Sequence, residues 1–337
     1  MAINGYAHTL SDLQKTLNPD GSIARVMEVL NESNPMMQDI PWEEGDLPIG
    51  TKTVIRTGLP TPSIRRINRG TAATKGSTRQ IIDVCMNLED RSCIDVELLA
   101  GKPNPEAYRM AEDDAHVEGM AQYVARQFIY GDLENDPDVF NGFTPRYNTL
   151  KDEGKGSVGH QVISAGTANS QGKNGSIWFI DWGDNRVVGI YPKGTMAGIK
   201  KQDLGESDVN DADGKPYRAV QTLYNYKCGL AVKNVRSVVR VANIDMATIK
   251  NLTDAQQKAL IDKFVYAKNR LWLPKNPIAY VSNDLYSWFE CYLTNKNNIH
   301  VTRDQVTNGA SPILRFNGIQ LKKMDCMEDT EAAVTEQ

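Results

Sequence analysis

The longest periodic stretch of the chain predicts a single amphipathic helix between Pro105 and Gly131. Asn104 is a favourable N-cap, and Pro105 suits the first helical position, where its missing N–H costs nothing. Gly131 can end the helix in the left-handed conformation. At 1.5 Å per residue the helix would be roughly 37 Å long, two to three times the usual length. Its apolar positions recur at steps of seven, four, three and four and so form one stripe, which consists of Met110, Val117, Ala121, Val124 and Phe128.

Charge is distributed unevenly along this predicted helix. Its first half is acidic and is opposed there only by Arg109. Gly119 stands in mid-helix, where Gly costs about 1 kcal/mol relative to Ala. We therefore expect either close packing of another backbone at Gly119 or a bend in the helix. The acidic residues are Glu106, Glu112, Asp113, Asp114 and Glu118.

Two strand-like runs joined by a long polar connection precede the helix. The outward run TKTVIRT, which starts at Thr51, alternates like a strand. The return run is rich in β-formers and keeps a strict period of two at Ile94, Val96 and Leu98. A long two-stranded hairpin is not stable by itself. The segment is therefore predicted to be disordered or to fold against another chain, and a solvated loop is the alternative.

The first 44 residues contain one short amphipathic segment, which Asp20 or Ser22 can cap and Asn34-Pro35 ends. A helix this short is marginal in water, so its apolar face must pack on something. That face is either part of the subunit core or an arm laid across a neighbour. It consists of Ile23, Val26, Met27 and Leu30.

The remainder of the chain reads as alternating strands and helices, which gives a mixed α+β fold. Residues 150–175 are polar and predict a mobile surface loop, and Asp213-Gly214 predicts a turn. The predicted elements are a hairpin at Ser176–Ile190, strands at Tyr217–Leu230 and Ala231–Asp245, a helix at Thr253–Leu271, a strand at IAYVS, a helix at Asp284–Thr294 capped by Asn283, and a strand at Ile313–Lys323.

The net charge of −4 argues against a dedicated nucleic-acid binder, which is usually basic. One segment departs from this balance, because Thr51 to Gln80 contains no Asp or Glu and carries +7. No run approaches the roughly 18 apolar residues of a membrane span, and the first 25 residues lack a signal-peptide core. The basic residues of the segment are Lys52, Arg56, Arg65, Arg66, Arg69, Lys75 and Arg79.

Candidate chemistry is sparse, and we predict no catalytic residue, no cofactor and no metal site. Glu112, Asp113 and His116 have the spacing of helical metal ligands, but no second His lies nearby and a solvated acidic face explains them better. No phosphate-binding loop, nucleophile elbow or zinc-protease motif is present. The five cysteines are scattered along the sequence and are predicted to be reduced thiols. They are Cys85, Cys93, Cys228, Cys291 and Cys326. The aromatic residues of the predicted strands, Trp178, Trp182, Tyr224 and Tyr226, are predicted to lie in the hydrophobic core.

Several stretches together resemble one known family. They are EGDLPIGTKTVIRTGLPTPSIRRINRG at 44–70, AYRMAEDDAHVEGMAQ at 107–122, FNGFTPRY at 140–147, SIWFIDWGDNRVVGIYPKG at 176–194, GLAVKNVRSVVRVANID at 229–245 and the ending FNGIQLKKMDC. The chain resembles the major capsid proteins of tailed bacteriophages, with the Hong Kong 97-type fold that herpesviruses share. The family of epsilon-fifteen-type short-tailed phages is the most similar one.

The resemblance implies a structural protein without catalysis, in a shell of hexamers and pentamers around double-stranded DNA. It implies these partners: further copies of itself, a portal, scaffolding or decoration proteins, and non-specifically packaged DNA, with no membrane. The protein would lie in the virion capsid, and in the host cytoplasm during assembly. No Lys–Asn cross-link is assigned, because Lys75 lacks an identifiable activating Glu. The implied parts are an arm (1–44), an extended hairpin loop (45–98), a peripheral domain (99–245) with spine helix 105–131, an axial domain (246–318) and a closing strand with tail (319–337), with the edges in the second half left open.

Two other readings compete with a shell protein. The first is a homo-oligomeric enzyme with a dimerisation arm, which would need convergent titratable groups, and none is visible in the sequence. The second is a nucleic-acid-binding module that uses the basic hairpin. Such a module would place aromatic residues beside the basic run, but residues 51–80 contain no Phe, Trp or Tyr. The resemblance implies that the hairpin loop extends over the peripheral domain of an adjacent subunit, where the opposite charges of the hairpin and the helix would come within reach of each other. The candidate contact residues are Arg56, Leu59, Ile64, Arg65, Arg66, Ile67 and Arg69 on the hairpin and Glu112, Asp113, Asp114 and Glu118 on the helix.

Overall fold

The computed structural model of the protein describes residues 34–100, 104–166, 168–169, 171–211, 213–294, 300–304 and 313–336. The described chain forms two compact units, each assembled from separate sequence segments. The smaller unit contains Asn87–Val124 and Ala197–Lys227. The larger unit contains Ser33–Met86, Ala125–Met196 and Cys228–Gln337. The amphipathic segment predicted before Asn34 lies outside the described residues.

Helices and strands alternate along the described chain, so the predicted mixed α+β class is observed. The helices are α1 (Met36–Asp39), α2 (Val96–Ala100), α3 (Pro105–Tyr130), α4 (Phe143–Arg146), α5 (Asp254–Arg270) and α6 (Asn283–Tyr292). The strands are β1 (Trp42–Glu44), β2 (Gly50–Gly58), β3 (Ser77–Asp95), β4 (Val162–Ser164), β5 (Asn174–Asp181), β6 (Val187–Tyr191), β7 (Ile199–Asn210), β8 (Pro216–Val232), β9 (Val238–Asp245), β10 (Pro277–Val281), β11 (Val301–Asp304), β12 (Ile313–Phe316) and β13 (Ile319–Lys323).

The main core of the larger unit lies on a seven-stranded sheet with the order β11-β12-β13-β10-β5-β9-β4. Every residue of the interior strand β5 is buried. Helices α5 and α6 contribute apolar side chains to the same core, where Phe264 packs against Phe289 and Phe316 with ring centroids 5.4 and 6.0 Å apart. A Thr253–Gln256 capping box begins α5, close to the predicted start of that helix. The predicted core roles of Trp178 and Trp182 are confirmed, since both side chains are buried.

The second sheet joins strands that are distant in sequence. In the larger unit its strand order is β1-β6-β8-β3-β2. In the smaller unit β7 pairs with β8 in antiparallel register from Ile199–Tyr226 to Asn210–Pro216. Strands β3 and β8 and helix α3 each continue through both units, because their bounds cross the limits of the segments.

Helix α3 has the predicted bounds and the predicted cap. The Asn104 side-chain oxygen accepts a hydrogen bond from the Ala107 N–H at 3.2 Å, and the helix ends at Tyr130, one residue before Gly131. Its predicted apolar stripe is buried only in part. Val124 and Phe128 are fully buried, whereas Met110 is 66% exposed and Val117 is 39% exposed. In the first half Tyr108 and Asp113 form the buried positions instead.

The predicted hairpin at Ser176–Ile190 is wrong, although both of its strands exist. β5 pairs with β9 and β10, whereas β6 pairs with β8 and β1 in the other sheet. The chain turns at Gly183, whose φ of +158° lies at the edge of the region that favours Gly, and passes from one sheet to the other. A fully apolar strand matches more than one neighbour, so local sequence did not select its partner.

Other boundaries also differ from the predictions. Val96 and Leu98 lie in α2 and do not continue the strand, and the buried strand β4 interrupts the loop predicted at residues 150–175. Ser282, not Asn283, caps α6 by accepting a hydrogen bond from the Leu285 N–H.

The predicted closing strand is two strands, β12 and β13, which are joined by a turn at Asn317 and Gly318, where both residues have positive φ. The sequence analysis does not predict strand β7, because its polar sequence has no periodic apolar positions. The strand forms through antiparallel hydrogen-bonded pairing with β8. The predicted strands Tyr217–Leu230 and Ala231–Asp245 are β8, which continues to Val232, and β9.

Candidate assembly surfaces

The hairpin has a paired base and an unpaired tip. β2 pairs with β3 from Gly50–Val84 to Gly58–Ser77, with an irregularity between Arg56 and Gly58. Residues 59–76, here called the hairpin tip, contain no helix or strand and only one turn, at Ile67-Asn68. Asn68 adopts a φ of +61°, a conformation that Asn tolerates better than most residues. The tip is thus an extended segment carried on a two-stranded stem.

The tip exposes both its apolar and its basic side chains. Ile64 and Ile67 are 95% and 92% exposed, and Leu59 is 77% exposed. Folded subunits commonly expose single apolar residues, but three on one short segment mark an interaction surface. The predicted basic contact residues Arg56, Arg65, Arg66 and Arg69 are also exposed.

A buried ion pair fixes the hairpin base to the body of the larger unit. The Arg146 guanidinium donates to Asp83 Oδ1 at 2.7 Å and to the Leu230 carbonyl at 3.1 Å. Burial raises the pKa of the Asp83 carboxyl above its ordinary value, and the charge of Arg146 opposes that rise. A buried pair of this kind holds its two elements in place, because removing either partner leaves the other charge uncompensated.

The two faces of the hairpin base have different surroundings. Ile55 and Ile81 line a cavity of about 540 Å³ that Val232 and Val235 also line. On the opposite face Val54 and Ile82 are 58% and 60% exposed. The base therefore presents apolar surface to solvent as well as to the cavity.

The acidic residues of α3 differ in how accessible they are. Asp114 is exposed, whereas Glu112 and Glu118 are half-buried. The Glu118 carboxylate accepts a hydrogen bond from Gln122 at 2.9 Å. Asp113 is only 8% exposed and accepts hydrogen bonds from Lys201 and the Tyr224 hydroxyl. Asp113 thus contributes to the inside of its own unit, and Asp114 offers the most accessible carboxylate of the four.

His116 and its neighbours do not form a metal site. Its Nδ1 hydrogen-bonds to the Asp90 carboxylate, and its ring stacks on Tyr224 at 5.4 Å between centroids. Among the described residues no group of three or more His, Cys, Asp or Glu side chains could hold a metal ion. Burial raises the pKa of the Cys85 thiol to about 12, which disfavours the nucleophilic thiolate. No helix in the described part of the chain is both long and apolar enough to cross a membrane.

Sequence reasoning missed the exposed apolar positions of α3. Met110 and Val117 have the periodicity of a buried stripe, and only the packing of Tyr108 with Ile94 and Leu99 shows that another face is covered. The available signal was charge, because Glu106 and Asp114 flank Met110 at a spacing of four and would be costly on a buried face.

Comparison with known proteins finds one family model and several solved structures that are similar to this chain. The family model described as major capsid protein GP7 matches residues 18–335. A solved chain of bacteriophage Epsilon15 superposes with a TM-score of 0.78 and 27% identity, covering 99% of each chain. The bacteriophage JBD30 capsid gives a TM-score of 0.49 with 10% identity, covering 94% of this chain and 97% of that chain. The capsid of a native GTA particle gives 0.47 with 11% identity, covering 68% and 95%. None of the curated proteins compared with the chain matches it.

Proposed function

Because the chain belongs to the major capsid protein GP7 family, it is a structural subunit of a phage capsid, and we propose that the hairpin tip of one copy binds α3 of a neighbouring copy. Self-assembly into capsomers follows from the same family, and the resulting shell is icosahedral. The finer proposal is that these capsomers are hexamers and pentamers. Neither an enzyme nor a nucleic-acid-binding module is supported by the family.

The observation that carries the contact proposal is the exposure of the hairpin tip. Leu59, Ile64 and Ile67 place three large apolar side chains in solvent on a segment without secondary structure. Burying one such side chain contributes about 1.5–3 kcal/mol. A second copy of the chain is the partner that a shell subunit meets at every boundary.

Helix α3 offers a surface that complements the tip in two respects. Met110 and Val117 are one heptad apart and exposed, so they can receive the apolar side chains of the tip. Asp114 lies between them and can face an Arg of the tip, with Glu112 and Glu118 at the sides. Complementary charge guides register and association rate more than it adds affinity.

The remaining partners are part of the proposal as well. We propose that the shell encloses double-stranded DNA, which it contacts without sequence specificity, and that assembly takes place in the host cytoplasm. A portal and scaffolding or decoration proteins would complete the particle. We propose no catalytic role, because the shell function needs none.

Charge reversal of the hairpin tip tests the contact. We expect the triple variant Arg65→Glu, Arg66→Glu and Arg69→Glu to remain a folded, soluble subunit that no longer closes shells in negative-stain electron microscopy. Glu112→Lys with Asp114→Lys should restore part of the yield. Rising salt should lower the wild-type yield, because exposed charge pairs are screened over about 8–10 Å.

The matched control makes the same charge change elsewhere. Lys155→Glu, Lys193→Glu and Lys323→Glu alter three exposed lysines of the larger unit outside the hairpin. We expect this variant to assemble as the wild type does. If the tip variant also assembled normally at low salt, charge matching would be wrong, and the apolar residues of the tip would have to carry the contact.

A further inference from the structure

The loop that follows α5 presents two large apolar side chains to solvent. Trp272 is 46% exposed and its neighbour Leu273 is 69% exposed. Leu273 has a φ of +44°, a left-handed conformation that bulky residues rarely adopt. Such strain persists only where the surroundings over-determine it, and it is concentrated at functional positions.

A buried polar frame holds the loop in this conformation. Arg186 donates to the Leu273 carbonyl at 2.7 Å and forms an ion pair with the buried Asp181. Asp181 Oδ1 in turn accepts hydrogen bonds from the Lys275 and Asn276 N–H groups at 3.1 and 2.9 Å.

Arg236, in the segment before β9, provides a second set of contacts that hold the loop. The Trp272 N–H bonds to the Arg236 carbonyl at 3.1 Å, and the Arg236 guanidinium lies 5.6 Å from the Trp272 ring centroid. The loop is therefore rigid, and a rigid Trp with an adjacent Leu loses little conformational entropy when it binds. Trp is also among the residues that dominate binding energy at protein interfaces.

An apolar recess lies at the opposite end of α5. It has a volume of about 190 Å³, and Asp245 is on its wall. Asp254 lies exposed at the start of α5 beside it. The loop at the other end carries the exposed Lys275 and no acidic residue between Tyr266 and Asn276. The apolar lining of the recess is Ala165, Ile244, Ile249, Leu252, Ala259 and Leu260.

We propose that the Trp272–Leu273 loop of one copy inserts into the recess at the start of α5 of a second copy. The 17 residues of α5 separate the two surfaces by roughly 25 Å, so one copy cannot satisfy both by itself. Two different patches that join head to tail form a heterologous contact, which closes into a ring of identical subunits when the rotation permits. The charges agree, since Lys275 would approach Asp245 and Asp254. This inference rests on the self-assembly of the chain and adds a contact independent of the hairpin.

Leu273→Gly separates an interface role from a folding role. Gly adopts positive φ without strain. The free subunit should therefore keep or raise its melting temperature, while shell yield falls about tenfold or more. Leu273→Asn, which also tolerates positive φ, should behave alike, and Leu273→Met should retain assembly. The control is Met196→Asn, at a residue 86% exposed in another loop, which should assemble normally.

Cysteine cross-linking tests the proposed acceptor. In a Cys291→Ser background, Leu273→Cys with Ala259→Cys should give oxidised dimers and higher oligomers. The two positions are at least roughly 17 Å apart along one helix, too far for a bridge within one copy. Each single-cysteine variant should give no ladder of higher oligomers.

Three results would overturn the inference. They are normal assembly of Leu273→Gly, a lower melting temperature of its free subunit, or absence of cross-linked oligomers from an assembling double-cysteine variant. If the wild-type chain formed neither shells nor capsomers, the proposed function would be contradicted instead. The inference would then be tested by sedimentation velocity, which would compare the oligomer size of the Leu273 variants with that of the wild type.

Discussion

At the scale of single residues, a buried ion pair holds the C-terminal tail. Arg240 donates to Glu331 at 2.8 Å and to Ser176 Oγ at 3.0 Å, and its guanidinium lies 5.0 Å from the Trp178 ring centroid. The Tyr130 hydroxyl donates to the same Glu331 side chain at 3.0 Å. Among the described residues, Glu331 is the carboxylate that pairs with Arg240, and this pair fixes the tail within the larger unit.

Removal of that carboxylate should destabilise the subunit strongly. Glu331→Ala leaves Arg240 buried without its counter-charge, which costs about 3–5 kcal/mol. We expect a large fall in melting temperature, measured by calorimetry. Glu336→Ala removes an exposed carboxylate from the same tail and should change little. Equal melting temperatures for the two variants would contradict the anchoring role of Glu331.

Asp203 supplies a pH-dependent contribution in the smaller unit. The hydrogen bond from Arg109 at 2.8 Å is the main cause that holds the pKa of Asp203 below its ordinary value. A lowered carboxyl pKa gives stability that is complete above the ordinary value, near 4, and is lost as pH falls through the folded value. Arg109→Gln should raise the pKa of Asp203, as measured by NMR titration, and acid unfolding should begin at slightly higher pH. Arg218→Gln, which removes the partner of Glu206, should leave the pKa of Asp203 in place.

At the scale of elements, α3 is continuous through an exposed glycine. No atom among the described residues, apart from the local helix backbone and adjacent residues, lies within 4 Å of where a Cβ of Gly119 would be. The expected close packing of another backbone is therefore not met within the described chain. The helix tolerates Gly119 because its apolar second half, with Val124 and Phe128 fully buried, anchors it.

Gly119→Ala should stabilise the free subunit by about 1 kcal/mol, because the methyl group has space and Ala favours helix. Ala115→Gly, at an exposed position of the same helix, should cost a similar amount. Chemical denaturation measures both changes. If a backbone of a neighbouring copy packs against Gly119, the Ala variant would assemble less well in spite of its more stable subunit. A less stable subunit would show that Gly119 is required inside the chain itself.

At the scale of the whole molecule, assembly should decide which segments are protected. The tip at residues 59–76 has no pairing and exposes three large apolar side chains, so a free subunit gives it little local stability. We expect limited proteolysis of the free subunit to cut within residues 55–80 while the sheet around β5 stays intact. In closed shells the same sites should resist cleavage, because contacts between copies cover them. Equal cleavage rates in both states would contradict burial of the tip.

The elements with strong local signals could be predicted from the sequence alone. The cap at Asn104, the bounds of α3 and the start of α5 at Thr253 depend on residues within one helical turn. The segment between β2 and β3 is too polar to form part of a hydrophobic core, and its composition alone indicates this. The family resemblance followed from such stretches taken together, and the GP7 family match confirms it.

Strand partners and the buried face of each element were decided only by the tertiary structure. β5 and β6 are neighbours in sequence but lie in different sheets, and the polar strand β7 exists because β8 pairs with it. Asp113 looked like surface charge, yet Lys201 and Tyr224 satisfy it from elements about a hundred residues away. Helix caps arise from neighbours along the chain, whereas these choices depend on the free energy of burial against remote partners, which a local pattern does not contain.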